Sequence, residues 1–155
     1  GLGTGDSPQF TAVNVGHASD TTITRSAAGL IAVENDPVVT RAQNNTFTKS
    51  QRGSITALTD AANIATDLSL NNFFSVTLAG NRTLDNPTNI VAGQSGSMFI
   101  AQDATGSRTL AYGSFWDFAG GTAPVLSTAI NTVDRLDYVV RNTTSIHAVL
   151  TKAWS

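Results

Sequence analysis

The chain has 155 residues, a formal net charge of −2 and no cluster of basic side chains, so it lacks the electrostatic footprint that a phosphate backbone demands. No run approaches the roughly 18 apolar residues of a membrane-spanning helix, and the absence of Cys excludes a disulfide framework and thiolate metal sites. Neither nucleic acid nor membrane insertion is expected, and no cofactor motif is found.

Composition points to strands. Apolar residues make up 41% of the chain, enough for a core, while Ser, Thr and Asn together approach a third of it. Long charged helix formers are almost missing: Glu34 is the sole Glu, and Lys49 and Lys152 are the only Lys. An exposed helical face normally carries many of them. Thr and Val suit a pleated surface, where a restricted χ1 costs little. The expected class is all-β, as one domain or as a compact domain of about 100 residues preceded by an extended segment. A chain that opens GLGTGDSP, with neither Met nor the parts of a signal peptide, is expected to be a fragment or a processed product.

Residues 1–50 differ from the remainder. FTAVNVG alternates about Phe10, Val13 and Val15, and TTITR-SAAG-LIAVE reads as two short strands around a turn in which Gly29 can supply a positive φ. NDPVVTRAQNNTFTKSQ, with Pro37 and an Asn-rich run, has linker composition. So few large apolar side chains cannot offset roughly 1–2 kcal/mol of backbone ordering per residue. Residues 1–50 are therefore expected either to be disordered or to form an extended stalk that gains its burial from identical chains. The second domain is expected over 51–155.

There, strand signals recur at the short intervals of a sandwich or barrel. They are GSITAL (53–58), NIATDL (63–68), NFFSVTL (72–78), SMFIAQ (97–102), RTLAYG (108–113), DRLDYVV (134–140) and SIHAVLTKAW (145–154). NRTLDNP (81–87) reads as a further edge strand that stops at Pro87. Thr59 could cap a short helix through LTDAANIAT, but the stretch is short and lacks a charged face, which favours a turn over Asp60–Ala62. In the last two strands Leu136, Tyr138 and Val140 share one face, and Ile146, Ala148, Leu150 and Lys152 share another that points inward. Arg141–Thr144 joins these strands as a hairpin whose Asn142 suits a positive φ.

Patterns that carry chemistry are sparse. Nucleophilic hydrolysis needs a base beside the nucleophile, and the only imidazoles are His17 and His147. GQSGS at 93–97 has Ser97 where a nucleophile elbow requires Gly, so Ser95 reads as part of a glycine-rich turn. DLSLNNFF opens like a calcium loop at Asp67, Ser69 and Asn71 but places Asn72 and Leu78 at the two most demanding positions. No metal is expected. Asp103, Asp117, Asp134 and Asp137 could supply a glycosidase carboxylate pair, which needs a separation of about 5–10 Å. Asp134 and Asp137, three apart, point to opposite faces of a strand. Sequon matches at Asn44, Asn81 and Asn142 carry no weight in a chain this rich in Asn and Thr.

QDATGSRTLAYGSFWDF, residues 102–118, is the strongest binding candidate. A hairpin turn around Gly106 leads into a strand on which aromatic faces, beside Asp117 and Arg108, suit the C–H faces and hydroxyls of a sugar. Arg108, Tyr112, Trp116 and Asp117 are the expected receptor contacts. The alternative is core and subunit packing, because only one of Phe115 and Trp116 can face outward.

LNNFFSVTLAGNRTLDNPTNIVAGQSGSMFIAQDATGSRTLAYGSFWDFAGGTAPVLST, followed by DRLDYVVRN and SIHAVLTKAW, resembles a module common at the C-terminal ends of phage tail fibres and related virion appendage proteins. GTGDSPQFTAVNVG and ASDTTITRSAAGLIAVE are similar to the stalk segments that often precede it. The resemblance implies a homotrimer in which an intertwined β stalk, 1–50, carries a jelly-roll-like β-sandwich head, 51–155. It further implies a virion location, other virion tail proteins as neighbours, and a host surface glycan or outer-membrane protein as receptor. No catalytic residue comes with it, so a non-enzymatic role in host adsorption is expected. A structural head-fibre, decoration or connector part without receptor binding is one alternative, and a polysaccharide depolymerase fragment is another.

Overall fold

A computed structural model describes residues 50–154 in full and, ahead of them, the backbone of residues 12–14, 22–27, 30–33 and 36–37. The chain divides into two units, Gly1–Gln51 and Arg52–Ser155. In the first, β1 (Ala12–Asn14), β2 (Thr22–Ala27), β3 (Leu30–Val33) and β4 (Asp36–Pro37) form an antiparallel sheet in chain order. Its register sets Val13 opposite Ile23 and Ile23 opposite Val33. Pro37, expected to begin a linker, instead ends the edge strand opposite Ala32. An edge tolerates Pro because no neighbour claims the missing N–H. The expected strand residues Phe10 and Val15, the turn at Gly29 and the rest of the linker lie outside the described residues.

The second unit contains β5 (Thr56–Ala57), β6 (Asn63–Ile64), β7 (Phe73–Leu78), β8 (Arg82–Leu84), β9 (Ser95–Gln102), β10 (Leu110–Tyr112), β11 (Trp116–Phe118), β12 (Val133–Asn142) and β13 (Ser145–Trp154). No α-helix occurs among the described residues, and the class is all-β. The only helical turn among them is a 3₁₀ turn at Ala119–Gly121. No helix starts at Thr59; the neighbouring Asp60 carboxylate instead receives a bidentate pair of hydrogen bonds from Arg82.

Two sheets result, one ordered β11-β13-β12-β9-β7-β5 and the other β10-β8-β6. From β5 to β11 the chain visits the two sheets alternately, so each return to a sheet runs in the same direction as the last. Hence β5, β7 and β9 pair in parallel, as do β6, β8 and β10. A jelly roll pairs its strands antiparallel; here antiparallel pairing in this unit is confined to the final hairpin β12–β13 and its junction with β9. That hairpin enters between β9 and β11, and β11 pairs with β13. The NRTL segment, expected at an edge, is the centre of the smaller sheet as β8.

Strand alternation decides what is buried. Phe74, Val76 and Leu78 of β7, Met98 and Ile100 of β9, Leu136, Tyr138 and Val140 of β12, and Ile146 and Ala148 of β13 turn to one side, where Ile64 and Leu84 of the smaller sheet join them in a single core. Each fully buried Leu, Ile, Val or Phe contributes about 1.5–3 kcal/mol. Trp116 completes this core edge-on to Tyr138, with ring centroids 6.1 Å apart.

Polar side chains set the turns. The Asp103 carboxylate accepts the Thr105 and Gly106 N–H groups, each at 2.9 Å. Gly106 has φ of 71°, and a Cβ there would meet the Thr128 carbonyl, so both backbone and space require glycine. The strands on either side, β9 and β10, belong to different sheets, so the expected hairpin is a crossover turn. At Asn142 the expected positive φ is not used; its side-chain oxygen instead accepts the Thr144 N–H at 2.9 Å, an Asx turn.

Candidate binding face

The side of the six-stranded sheet turned away from the core is the broadest feature of the described residues. Pairing aligns its outward side chains in rows. Asp117, His147, Val139 and Ser95 form one row. Val149, Asp137, Ser97 and Phe73 form the next. Two shallow concavities lie on this face, one of about 540 Å³ around Phe73, Val139 and Val149 and one of about 500 Å³ around Phe99, Ala101 and Val133. Val139 is 52% exposed and Val149 63%, so apolar side chains stand open among the polar members of these rows. The chain enters the unit at its margin, where Gly53 lies so close to the Phe73 ring that a Cβ would not fit.

The charged groups on this face have partners within the chain. Ser97 Oγ donates to Asp137 Oδ1 at 2.6 Å, and Arg135 Nε donates to Asp137 Oδ2 at 3.0 Å. The Arg135 guanidinium also lies 5.4 Å from the centre of the Trp154 ring. Ser145 Oγ donates to Asp117 Oδ2 at 2.6 Å.

The four expected receptor contacts do not form one surface. Trp116 is buried, and its indole N–H donates to the Asp85 carbonyl at 3.1 Å. Its ring therefore offers no face to a sugar, because β11 turns Trp116 toward the core and Asp117 outward. Tyr112 lies edge-on to Phe118 at 4.7 Å, with its hydroxyl buried and unpartnered. Burial pushes that phenol up in pKa, helped by the nearby Asp134 carboxylate. Arg108 forms a bidentate ion pair with Asp103, Nη2 to Oδ2 being 2.7 Å. Of the four, Asp117 alone belongs to the outward face.

The remaining chemical candidates are either engaged within the chain or too far apart to act together. Asp134 is buried and accepts the Ser127 N–H at 2.6 Å and the Ala153 N–H at 2.8 Å, which fastens the last strand. Val139 stands between Ser95 and His147 in the row, so serine and imidazole are two strands, about 9–10 Å, apart. Asp67 accepts from Ser69 and Asn89 and shapes a turn; among the described residues no cluster of three or more His, Asp or Glu is placed to hold a metal ion. His17 and Asn44 lie outside the described residues.

Sequence reasoning did not single out Phe73, Val139 and Val149. Their signal is the doublets Phe73-Phe74 and Val139-Val140, in which both faces of a strand are apolar and simple alternation breaks down. Comparison with family models, with curated proteins and with solved structures finds no match to this chain.

Proposed function

We propose that this chain is part of a phage virion fibre: a non-enzymatic homotrimer whose β-sandwich head, following a stalk, attaches the virion to a host surface glycan or outer-membrane protein. The observation that carries this reading is the ordered series NRTL, NP, GQSG, QDATGSRTL and FAGGTAP, which resembles fibre modules. Several of these segments also do structural work. Arg82 of NRTL holds Asp60. Gln94 of GQSG donates to the Leu68 carbonyl at 2.7 Å, and Arg108 of QDATGSRTL holds Asp103. Three weak sites on one trimer act together through effective concentration, so modest affinity per site suffices.

The test is adsorption. Fluorescent protein is applied at saturating concentration to a panel of bacterial strains, and the virions that infect a labelled strain are then competed with unlabelled protein. Saturable labelling with loss of virion adsorption supports attachment. A second reading, a structural virion part without receptor binding, draws on the internal pairing of Asp117 and Asp137, which leaves neither carboxylate without a partner. It predicts no labelling on any strain that supports infection.

A further inference from the structure

We infer that the concavity of about 540 Å³ on the outward face holds one uncharged sugar unit and rejects sugars that carry a carboxylate or phosphate. The inference deepens the attachment reading and rests on it for the expectation of a surface ligand.

The lining alternates polar and carbon surface. One pairing row runs Asp117, His147, Val139, Ser95, and the next runs Val149, Asp137, Ser97, Phe73. Neighbours within a row are about 4.8 Å apart, and the rows lie about 6.6 Å from each other. Val139 and Val149 are both more than half exposed, so apolar contact stands within one side chain of hydroxyl-bonding groups. A sugar ring is built the same way, with C–H faces and hydroxyl edges. The volume falls within the roughly 300–1,000 Å³ of small-molecule sites.

Bonding capacity is left over in the first row. Asp117 accepts through Oδ2 from the neutral Ser145 hydroxyl, and no ion pair among the described residues reaches it. Its Oδ1, the His147 imidazole and the Ser95 hydroxyl are exposed and have no hydrogen-bond partner among the described residues. Together they offer the acceptors and donors that a ligand rich in hydroxyls can use.

Other occupants fit this chemistry less well. β9, β12 and β13 have strand neighbours on both sides, so their backbones cannot take up an added peptide strand. A wholly apolar partner would bury the Asp117 carboxylate without a counter-charge. An anionic ligand would meet Asp117 and Asp137 in a lining that includes no Lys or Arg.

The test passes the full chain over immobilised neutral oligosaccharides of glucose, galactose, mannose and N-acetylglucosamine, and over glucuronic and galacturonic acid counterparts. At least one neutral surface should bind, and its acidic counterpart should bind about tenfold more weakly or worse. Asp117→Asn keeps the side-chain shape; it should weaken the neutral sugar about tenfold, as the loss of one charge-assisted hydrogen bond does, and narrow the gap to the acidic one. Val139→Asp, which removes carbon surface, should abolish binding. Val125→Asp, on an exposed residue outside the strands and the concavity, should change nothing. Each variant is compared by circular dichroism, so that loss of binding is separated from loss of the β fold. Sugar binding at full strength in both Asp117→Asn and Val139→Asp overturns the inference, as does tighter binding of the acidic sugars. A chain that adsorbs to cells but binds none of the sugars also overturns it, and leaves the attachment reading with a protein receptor. A chain that binds a neutral sugar through Asp117 but adsorbs to no cell upholds the inference and overturns the attachment reading.

Discussion

Gln102 and Arg108 bind each other as if they were neighbouring strands: Gln102 Nε2 donates to the Arg108 carbonyl at 2.9 Å, and the Arg108 N–H donates to Gln102 Oε1 at 2.8 Å. Gln102 is 3% exposed, so one buried side chain closes the crossover turn between the two sheets and satisfies two backbone groups. Replacing Gln102 by Leu removes both bonds and strands both groups in an apolar setting. The expected loss is about 2–4 kcal/mol, read from the midpoint of denaturant unfolding. An unchanged midpoint would show that water replaces the amide at no cost.

The same turn should respond to acid. The Arg108 guanidinium, with the Gly106 and Thr105 N–H groups, holds the Asp103 carboxyl down at about 2, against 3.8 for an ordinary Asp. A folded-state pKa below the unfolded one means that the stabilisation is complete above the unfolded value and fades as pH falls through the folded one. The melting-temperature gap between the native chain and Asp103→Asn should therefore be constant above about pH 5 and narrow toward about pH 2. A gap that stays constant over that range would mean the ion pair contributes nothing to folding.

Gly96 and Gly93 are two glycines of one motif with different duties. A Cβ at Gly96 would overlap the Asn72 carbonyl and meet the Tyr138 hydroxyl, and neither the strand backbone nor the packed ring can retreat. Gly93 has φ of 88° and open space around it. Gly93→Ala should cost only about 1–2 kcal/mol of left-handed strain. Gly96→Ala, which adds overpacking against backbone, should cost more, and the reverse order in thermal melts would contradict the close approach.

The two buried phenols should also separate. Tyr138 Oη donates to the Asn72 carbonyl at 3.2 Å, whereas the Tyr112 hydroxyl is buried without a partner. Tyr138→Phe is expected to lose about 0.5–1.5 kcal/mol, and Tyr112→Phe to be neutral or stabilising. Equal losses from both variants would place an ordered partner on Tyr112. In an alkaline absorbance titration, burial should keep Tyr138 from ionising until about 12.

What could be read along the chain was local. β-Branched and alternating segments marked the strands from Thr56 to Trp154 because burial on one side of a pleat repeats every second residue. The turn at Gly106 was legible because it combines an Asp, which can accept backbone N–H groups, with a residue free to take a positive φ. The inward sets on β12 and β13 followed from the same alternation as far as Ala148: Leu136, Tyr138, Val140, Ile146 and Ala148 are buried, whereas Leu150 is half-buried and Lys152, also expected inward, is exposed because the strand runs past the edge of the core.

The candidate site was less legible. The cluster of Tyr112, Phe115, Trp116 and Phe118 advertised an aromatic surface. Yet the smaller sheet lies across that side of β11, and the Asp85 carbonyl waits for the Trp116 indole. No local pattern announces that acceptor, which comes from a segment 31 residues away.

The sequence by itself determined that this chain is built of strands, where most of them run and which side of the final hairpin faces inward, because those outcomes depend on neighbours one or two residues apart. Only the tertiary structure decided the alternating visits to two sheets, the central place of β8 and the insertion of β12–β13 between β9 and β11. Those choices are made by long-range pairing, in which backbone groups carry no residue label, and they leave Val139 and Val149 on an open face.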